Sequence, residues 1–310
     1  VTHLVQQLKT TLPAMGKVRV AQLLARAGLQ LSASTVARMA ARRPLPQPPR
    51  PDAPARARAS SDAPTSTDAK APKRTVKANY SNHLWNIDLS VVPTGAGLWT
   101  AWLPFALPQC WPFAWWVAAV VDHYSRHVIE LDGYFSHPSE AQVCALLDRA
   151  VATAGRPPKY TVTDQGGQFG DGYRAWCRQH GTRPRFGAVG KSGSIALIER
   201  FMLTLKNECT RRILVPLRLA DLRSELGLFV RWYGELRPHQ ALGGKTPREV
   251  YEAGKVEPFA ASAANDTAAS NDGTLLAARA APADLPRLEL RVSYLEGRRH
   301  LPIIELERAA

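Results

Sequence analysis

What this 310-residue chain has little of narrows its reading first. It holds four cysteines and no C-x-x-C pair, so neither a zinc site nor a disulfide framework is indicated, and a reducing cytoplasm fits. The opening residues lack the basic n-region, apolar h-region and cleavage site of a secretory signal. The chain starts at Val1 rather than Met, which leaves room for residues upstream. Residues 1–40 contain no acidic side chain at all, against five basic ones, Lys9, Lys17, Arg19, Arg26 and Arg38. Nine basic and three acidic residues follow in 41–78, so the first 78 residues carry +11 of the formal +14. So concentrated a charge points to a polyanion partner, nucleic acid or an anionic membrane surface, or else to a merely solvated tail. A phosphate-binding loop is missing too. "FGAVGKSGS" looks like one, but the required Gly five positions before Gly190 is Arg185, which argues against nucleotide binding.

Charge is absent from Leu89 to Val121. About 20 apolar residues suffice to cross a bilayer as a helix, so 97–121, "GLWTAWLPFALPQCWPFAWWVAAVV", competes as a span. Pro104, Pro108 and Pro112 would stand inside that helix, each costing about 3 kcal/mol. No partner helix and no basic flank would support it. "WWVAAVV" (115–121) is instead expected as a buried strand. Residues 93–114 then form an aromatic-rich insertion carrying Trp99, Trp102, Phe105 and Trp111. It either folds back on the core or docks another subunit.

Within residues 17–43, Val20, Leu23, Leu24 and Ala27 recur at helical spacing, Gly28 breaks the helix, and "SAS" offers caps for a second one through Val36 and Met39. Such a pair reads as a helix-turn-helix, or else as an ordinary helical hairpin. Residues 44–78, rich in Pro, Ala, Ser and Arg and without aromatics, read as an extended basic linker. From Asn79 the pattern changes. "HLWNIDLSVV" alternates, Trp85, Ile87, Leu89 and Val91 against Asn86, Asp88 and Ser90. "HVIELDGYF", "KYTVTD" and "RPRFGAV" read as further strands, and 138–154, "GYRAWCRQHG", "SIALIERFMLTLKNECTRR", 219–235 and 246–253 as helices. The order predicts a mixed sheet with helices packed on it. A second linker leads to a terminal hairpin turning at "EGRR".

Three carboxylates stand out by position. Asp88 is on the polar face of the first strand, Asp164 ends the fourth, and Glu199 opens the long helix. An ionised carboxylate among apolar neighbours is costly unless paired or metal-bound. Three of them from separate elements make a hard oxygen set suited to Mg²⁺ and to two-metal phosphoryl transfer. Asp122 rivals Asp88, but it opens the turn "DHYSR", where Asp is expected to bond the local backbone.

"WNIDLS", "VVDHYSRHVIE", "TDQGGQF", "SIALIERFMLTLKNE" and "RWYGELRPHQALGGKTPREVY" together resemble the DDE transposases and integrases with a retroviral-type integrase core, most of all bacterial insertion-sequence transposases. The likeness covers roughly 80–253. It implies an α/β, RNase H-like fold: a five-stranded mixed sheet flanked by helices, with an N-terminal helix-turn-helix and a small C-terminal β hairpin. It also implies Asp88, Asp164 and Glu199 as a catalytic triad holding two Mg²⁺ ions (Mn²⁺ substituting), with Asp88 bridging both. Lys206 resembles the family's DNA-contacting lysine. Lys191 lies in the loop before the Glu199 helix, and Arg38, Arg42 and Arg43 end the helix-turn-helix as further DNA ligands. Two features depart from the pattern: 34 residues rather than the common 35 separate Asp164 from Glu199, and the segment after the first strand is longer than usual. "RPHQAL" (237–242) is the family's recurrent tail motif, read here as a helix end stopped by Pro238.

The expected layout is a DNA-binding segment at 1–43, a linker at 44–78, the catalytic core at 79–256, a linker at 257–284 and the hairpin at 285–310. The expected activity is cleavage and joining of mobile-element DNA ends by a homo-oligomer in a synaptic complex, in the bacterial cytoplasm at the nucleoid, with no membrane partner. The competing expectations are a transposase-derived DNA-binding regulator and an RNase H-like nuclease.

Overall fold

The computed structural model describes residues 1–11, 16–26, 29–41, 77–95, 109–187, 195–255 and 288–308. Five strands form the central sheet: β1 (Leu84–Pro93), β2 (Ala114–Asp122), β3 (Val128–Tyr134), β4 (Tyr160–Thr163) and β5 (Arg183–Phe186). Their order is β3-β2-β1-β4-β5. The first three pair antiparallel, and β1, β4 and β5 run parallel. That change of sense follows from the connections. A short turn joins β2 to β3 and the longer 94–113 segment joins β1 to β2, whereas each parallel neighbour needs a crossover helix. The crossovers are α4 (Glu140–Ala154) and α5 (Asp171–Gln179). α4 is held by a capping box at Ser139 and Gln142 and ends on Gly155 at φ 74°, where a left-handed residue closes the last turn.

β2 accounts for the last part of the long apolar run, from Ala114 to Val121. Val117, Ala119 and Val121 pack into one core layer, and Ala118 and Val120 into the other. A strand covered on both faces has no solvent side, so alternation disappears from its sequence. One layer is completed by α4 and α5 through Val143, Leu146, Leu147, Tyr173 and Trp176. The other is completed by α6 (Ala196–Leu205), continued by a wide turn at Lys206–Thr210, and by α7 (Leu219–Arg231), continued by a second wide turn at Trp232–Leu236. Phe201, Leu205, Leu226 and Phe229 are their main contributions. α7 crosses β3 at Gly133, where a Cβ would stand 2.7 Å from Leu222 Cδ2. α8 (Pro247–Ala253) has its own capping box, Thr246 with Glu249.

The ends of the 93–114 insertion are seen. Pro93 pairs with Ala114, and Thr94 N–H donates to Phe113 O at 2.9 Å. Residues 96–108 lie outside the described residues, as do most of the two expected linkers. Among the described residues no helix is long and apolar enough to cross a membrane.

Three helices open the chain: α1 (Thr2–Thr11), α2 (Lys17–Arg26) and α3 (Ala33–Ala41). Leu4, Val5 and Leu8 of α1 join Val20, Leu23, Leu24 and Val36 in one small core, so the helix pair read from the sequence has a third member. Ser32 is the cap of α3, its Oγ accepting Thr35 N–H at 3.1 Å. At the other end β6 (Leu288–Tyr294) and β7 (Pro302–Arg308) form the expected hairpin, with its turn at Leu295–Gly297.

Candidate active site

β1 carries Asp88 across the middle of the sheet. Trp85 and Ile87 point into the α4–α5 layer, so the period of two turns Asp88 toward the opposite face, where α6 packs. In the parallel pairing Asn86 lies opposite Val162. Continued two residues, that register brings Asp164, just past the end of β4, alongside Asp88. Glu199 lies in the first turn of α6 and is exposed, while Asp88, Asp164 and Lys206 are half-buried.

The electrostatics tie these four groups together. Burial pushes the Asp88 carboxyl up from 3.8 to about 6; Asp164 and Glu199 push the same way, and the Leu89 N–H and Lys206 oppose them. Lys206 is itself held below its ordinary value by burial and by Arg211, with Asp88 pulling it back up. Asp88 accepts one hydrogen bond among the described residues, from Leu89 N at 2.9 Å. Asp164 accepts Gly166 N–H at 3.1 Å, which begins the loop leading to buried Phe169.

Among the described residues no group of three His, Cys, Asp or Glu side chains stands close enough to hold a metal ion. Asp88, Asp164 and Glu199 share one field without converging on one point. The donor chemistry nonetheless fits a divalent cation. It consists of carboxylate oxygens only, those of Asp88 half-buried with a single protein donor among the described residues and two like charges nearby. Beside Asp164 opens a cleft of ≈ 670 Å³ lined by Trp116, His137, Glu140, Gly167 and Gln168 among others. Trp116 and His137 meet edge to face at 4.5 Å. Gly167 and Gln168 fall within "TDQGGQF", but no site motif in the sequence announces Trp116 of β2, His137 between β3 and α4, or Glu140 at the start of α4.

Asp122 proves structural. It is fully buried and accepts Asn82 N–H, Ser125 N–H and Ser125 Oγ–H at 2.9, 2.8 and 2.6 Å. "RPHQAL" ends the α7 helix as expected, but its first residue does more. Arg237 is 6% exposed and donates to both carboxylate oxygens of Glu208 at 2.7 and 2.8 Å. Its guanidinium also lies 5.7 Å from the centroid of Trp232 and 5.5 Å from that of Tyr233. Glu208 sits two residues after Lys206, so Arg237 braces the end of the helix that carries Glu199 and Lys206.

Of the expected DNA ligands, Arg38 is exposed on α3, 3.4 Å from Thr35 Oγ1. Arg42, Arg43 and Lys191 lie outside the described residues. At the other end, Arg298 is paired with Glu225 at 2.7 Å.

Strand order, sheet sense and flanking helices define an RNase H-like α/β protein. Residues 78–192 match a family model described as integrase core domain, and residues 180–247 match a second model of that description. The chain belongs to the DDE transposases and integrases, which places it with the integrase/transposase-type polynucleotidyl transferases. None of the curated proteins compared with the chain matches it. Among solved structures, the HTLV-2 integrase catalytic core domain in complex with magnesium, in a trimeric form, is 15% identical. It covers 56% of this chain and 99% of its own at a TM-score of 0.41. The simian T-cell lymphotropic virus intasome, in complex with PP2A regulatory subunit B56 gamma, is 14% identical and covers 85% of this chain and 80% of its own, at 0.47. The catalytic core domain of BIV integrase is 17% identical and covers 56% of this chain and 95% of its own, at 0.39.

Proposed function

We propose that this protein is a transposase of bacterial insertion-sequence type. It binds the ends of a mobile element, cleaves a strand there and joins the freed 3′-hydroxyl to target DNA. Asp88, Asp164 and Glu199 are its catalytic carboxylates. The observation that carries the reading is the state of Asp88: a half-buried carboxylate raised to about 6, with Asp164, Glu199 and Lys206 all acting on it. A structural aspartate is satisfied by its neighbours, as Asp122 is. Asp88 is left with unsatisfied charge, and such groups concentrate at functional sites.

Asp88, Asp164 and Glu199 would hold the Mg²⁺ ions, for which Mn²⁺ would substitute. When bound, these supply Lewis-acid activation of the phosphoryl oxygens and of the attacking hydroxyl. Above a pH of about 6 Asp88 is ionised and stands ready as an oxygen donor. Lys206 offsets the charge of the carboxylates and offers an ammonium to a DNA phosphate beside them. Arg237 and Glu208 keep that lysine's turn in place. Arg38, with Arg42, Arg43 and Lys191, would take further phosphates. We assign DNA binding to 1–43 and catalysis to 79–256, joined by the 44–78 linker, with 257–284 leading to the hairpin at 285–310. Two DNA ends must be cut together, so the working form is a homo-oligomer on DNA at the bacterial nucleoid.

The test is a joining assay on duplexes carrying the element's ends, with Asp88→Asn, Asp164→Asn and Glu199→Gln. Each variant is expected to lose cleavage and joining while keeping duplex binding. Retained joining in any of them would remove that residue from the triad. Cleavage without joining in the unmodified protein would turn the reading to a nuclease, and binding with neither activity to a regulator.

A further inference from the structure

The basic charge of the first helices is not all directed at DNA. Arg26 of α2 donates to both oxygens of Glu249, at 3.1 and 2.8 Å, and to Gly244 O at 2.9 Å. Gln22, one turn earlier, donates to Gln240 O at 3.3 Å. Arg19, two turns before Arg26, approaches Glu208 at 3.7 Å, the carboxylate that Arg237 grips from the other side. Positions 19, 22 and 26 share one helical face, and every partner is on the catalytic core. The core is shaped to receive that face. Gly244, at φ 88°, comes so near that a Cβ there would lie 3.0 Å from Gln22 Cβ. The apolar side agrees independently: Ile304 of β7 packs against the N-terminal core, while Ile303, next to it, packs against the α6–α7 layer.

We infer that this face of α2 is a docking surface for the chain's own catalytic core, with Gln240–Glu249 and Glu208 as its receptor, and that Arg19 and Arg26 are docking rather than DNA ligands. DNA then meets the module through α3, where Arg38 is exposed. The contact ends on Glu208, in the turn that follows Lys206. The position of a DNA end held by α3 is thereby referred to the helix bearing Glu199. Only this last consequence rests on the transposase reading.

The experiment uses the full chain, the double variant Arg19→Ala/Arg26→Ala, and Arg26→Glu, which sets like charge against Glu249. Amide hydrogen exchange across 239–254 is expected to quicken several-fold in the double variant and further in Arg26→Glu. Unchanged exchange would overturn the docking. Affinity for a random-sequence duplex, followed against salt, is expected to keep its slope in the double variant. A slope smaller by about 1.8, the value for two lost phosphate contacts at about 0.9 each, would make these arginines DNA ligands and overturn the assignment. Arg38→Ala is the positive control, with a loss of about 0.9. Joining should fall in the docking variants although duplex binding persists; joining equal to that of the unmodified protein would refute the coupling to Glu199. If the unmodified protein joins nothing, the transposase reading fails, while exchange and salt slope still decide the docking.

Discussion

Replacing Asp88 by Asn should make the metal-free protein more stable while abolishing its chemistry. Burial first, then Asp164 and Glu199, raise the carboxyl from 3.8 to about 6; the Leu89 N–H and Lys206 only partly offset them. An acid whose folded value lies above its unfolded one is favoured in its protonated form. Its contribution is complete below 3.8 and is lost as pH rises through about 6. At pH 8 the folded protein therefore holds an ionised Asp88 at a cost. At about 1.36 kcal/mol per pH unit the gap sets a ceiling of roughly 3 kcal/mol. The side chain is half-buried, and solvent screening brings the expected gain to about 1–2 kcal/mol. Asn keeps the oxygen that accepts Leu89 N–H, so little else is disturbed. For a core of this size the gain corresponds to about 2–8 °C. Thermal and urea melts in chelator at pH 8 should show it, and the gap should narrow on titration through about 6. Adding Mg²⁺ should stabilise the unmodified protein by mass action and the variant much less. A variant no more stable than its parent at pH 8 would refute the view that Asp88 carries uncompensated buried charge.

Other substitutions separate structure from chemistry. Asp122→Ala leaves the Asn82 and Ser125 amides without their acceptor, and at about 1–3 kcal/mol for each orphaned donor the urea midpoint should fall sharply. Arg237→Ala should cost about 3 kcal/mol, since Glu208 loses its bidentate partner. Arg237→Lys should restore only part of that, because an ammonium does not form a planar pair of bonds; equal stability of the two variants would count against the bidentate geometry.

Much of the fold was legible without coordinates. The period of two in "HLWNIDLS" is the pleat of β1, and it separates Trp85 and Ile87 from Asp88 for the geometric reason that side chains alternate across a strand. The end of the charge-free run was readable as the strand β2 because a strand buried on both faces needs no polar side. Asp122 was readable as a turn residue because its partners, Asn82 apart, are within three positions of it. The helix α1 was overlooked, its short apolar pattern of Leu4, Val5 and Leu8 being satisfied only against α2 and α3.

The chain's own pattern determined the strands, the helices, the basic N-terminal charge and the candidate carboxylates, because each depends on neighbours within a turn or a pleat. Only the tertiary structure decided where charges find their partners. Arg237 meets Glu208 across 29 positions, and Arg26 meets Glu249 across 223. Composition counted Arg19 and Arg26 among charges bound for a polyanion, yet folding brings carboxylates of the core against them. Local periodicity records which face a side chain occupies. It carries no record of which distant segment will be packed against that face.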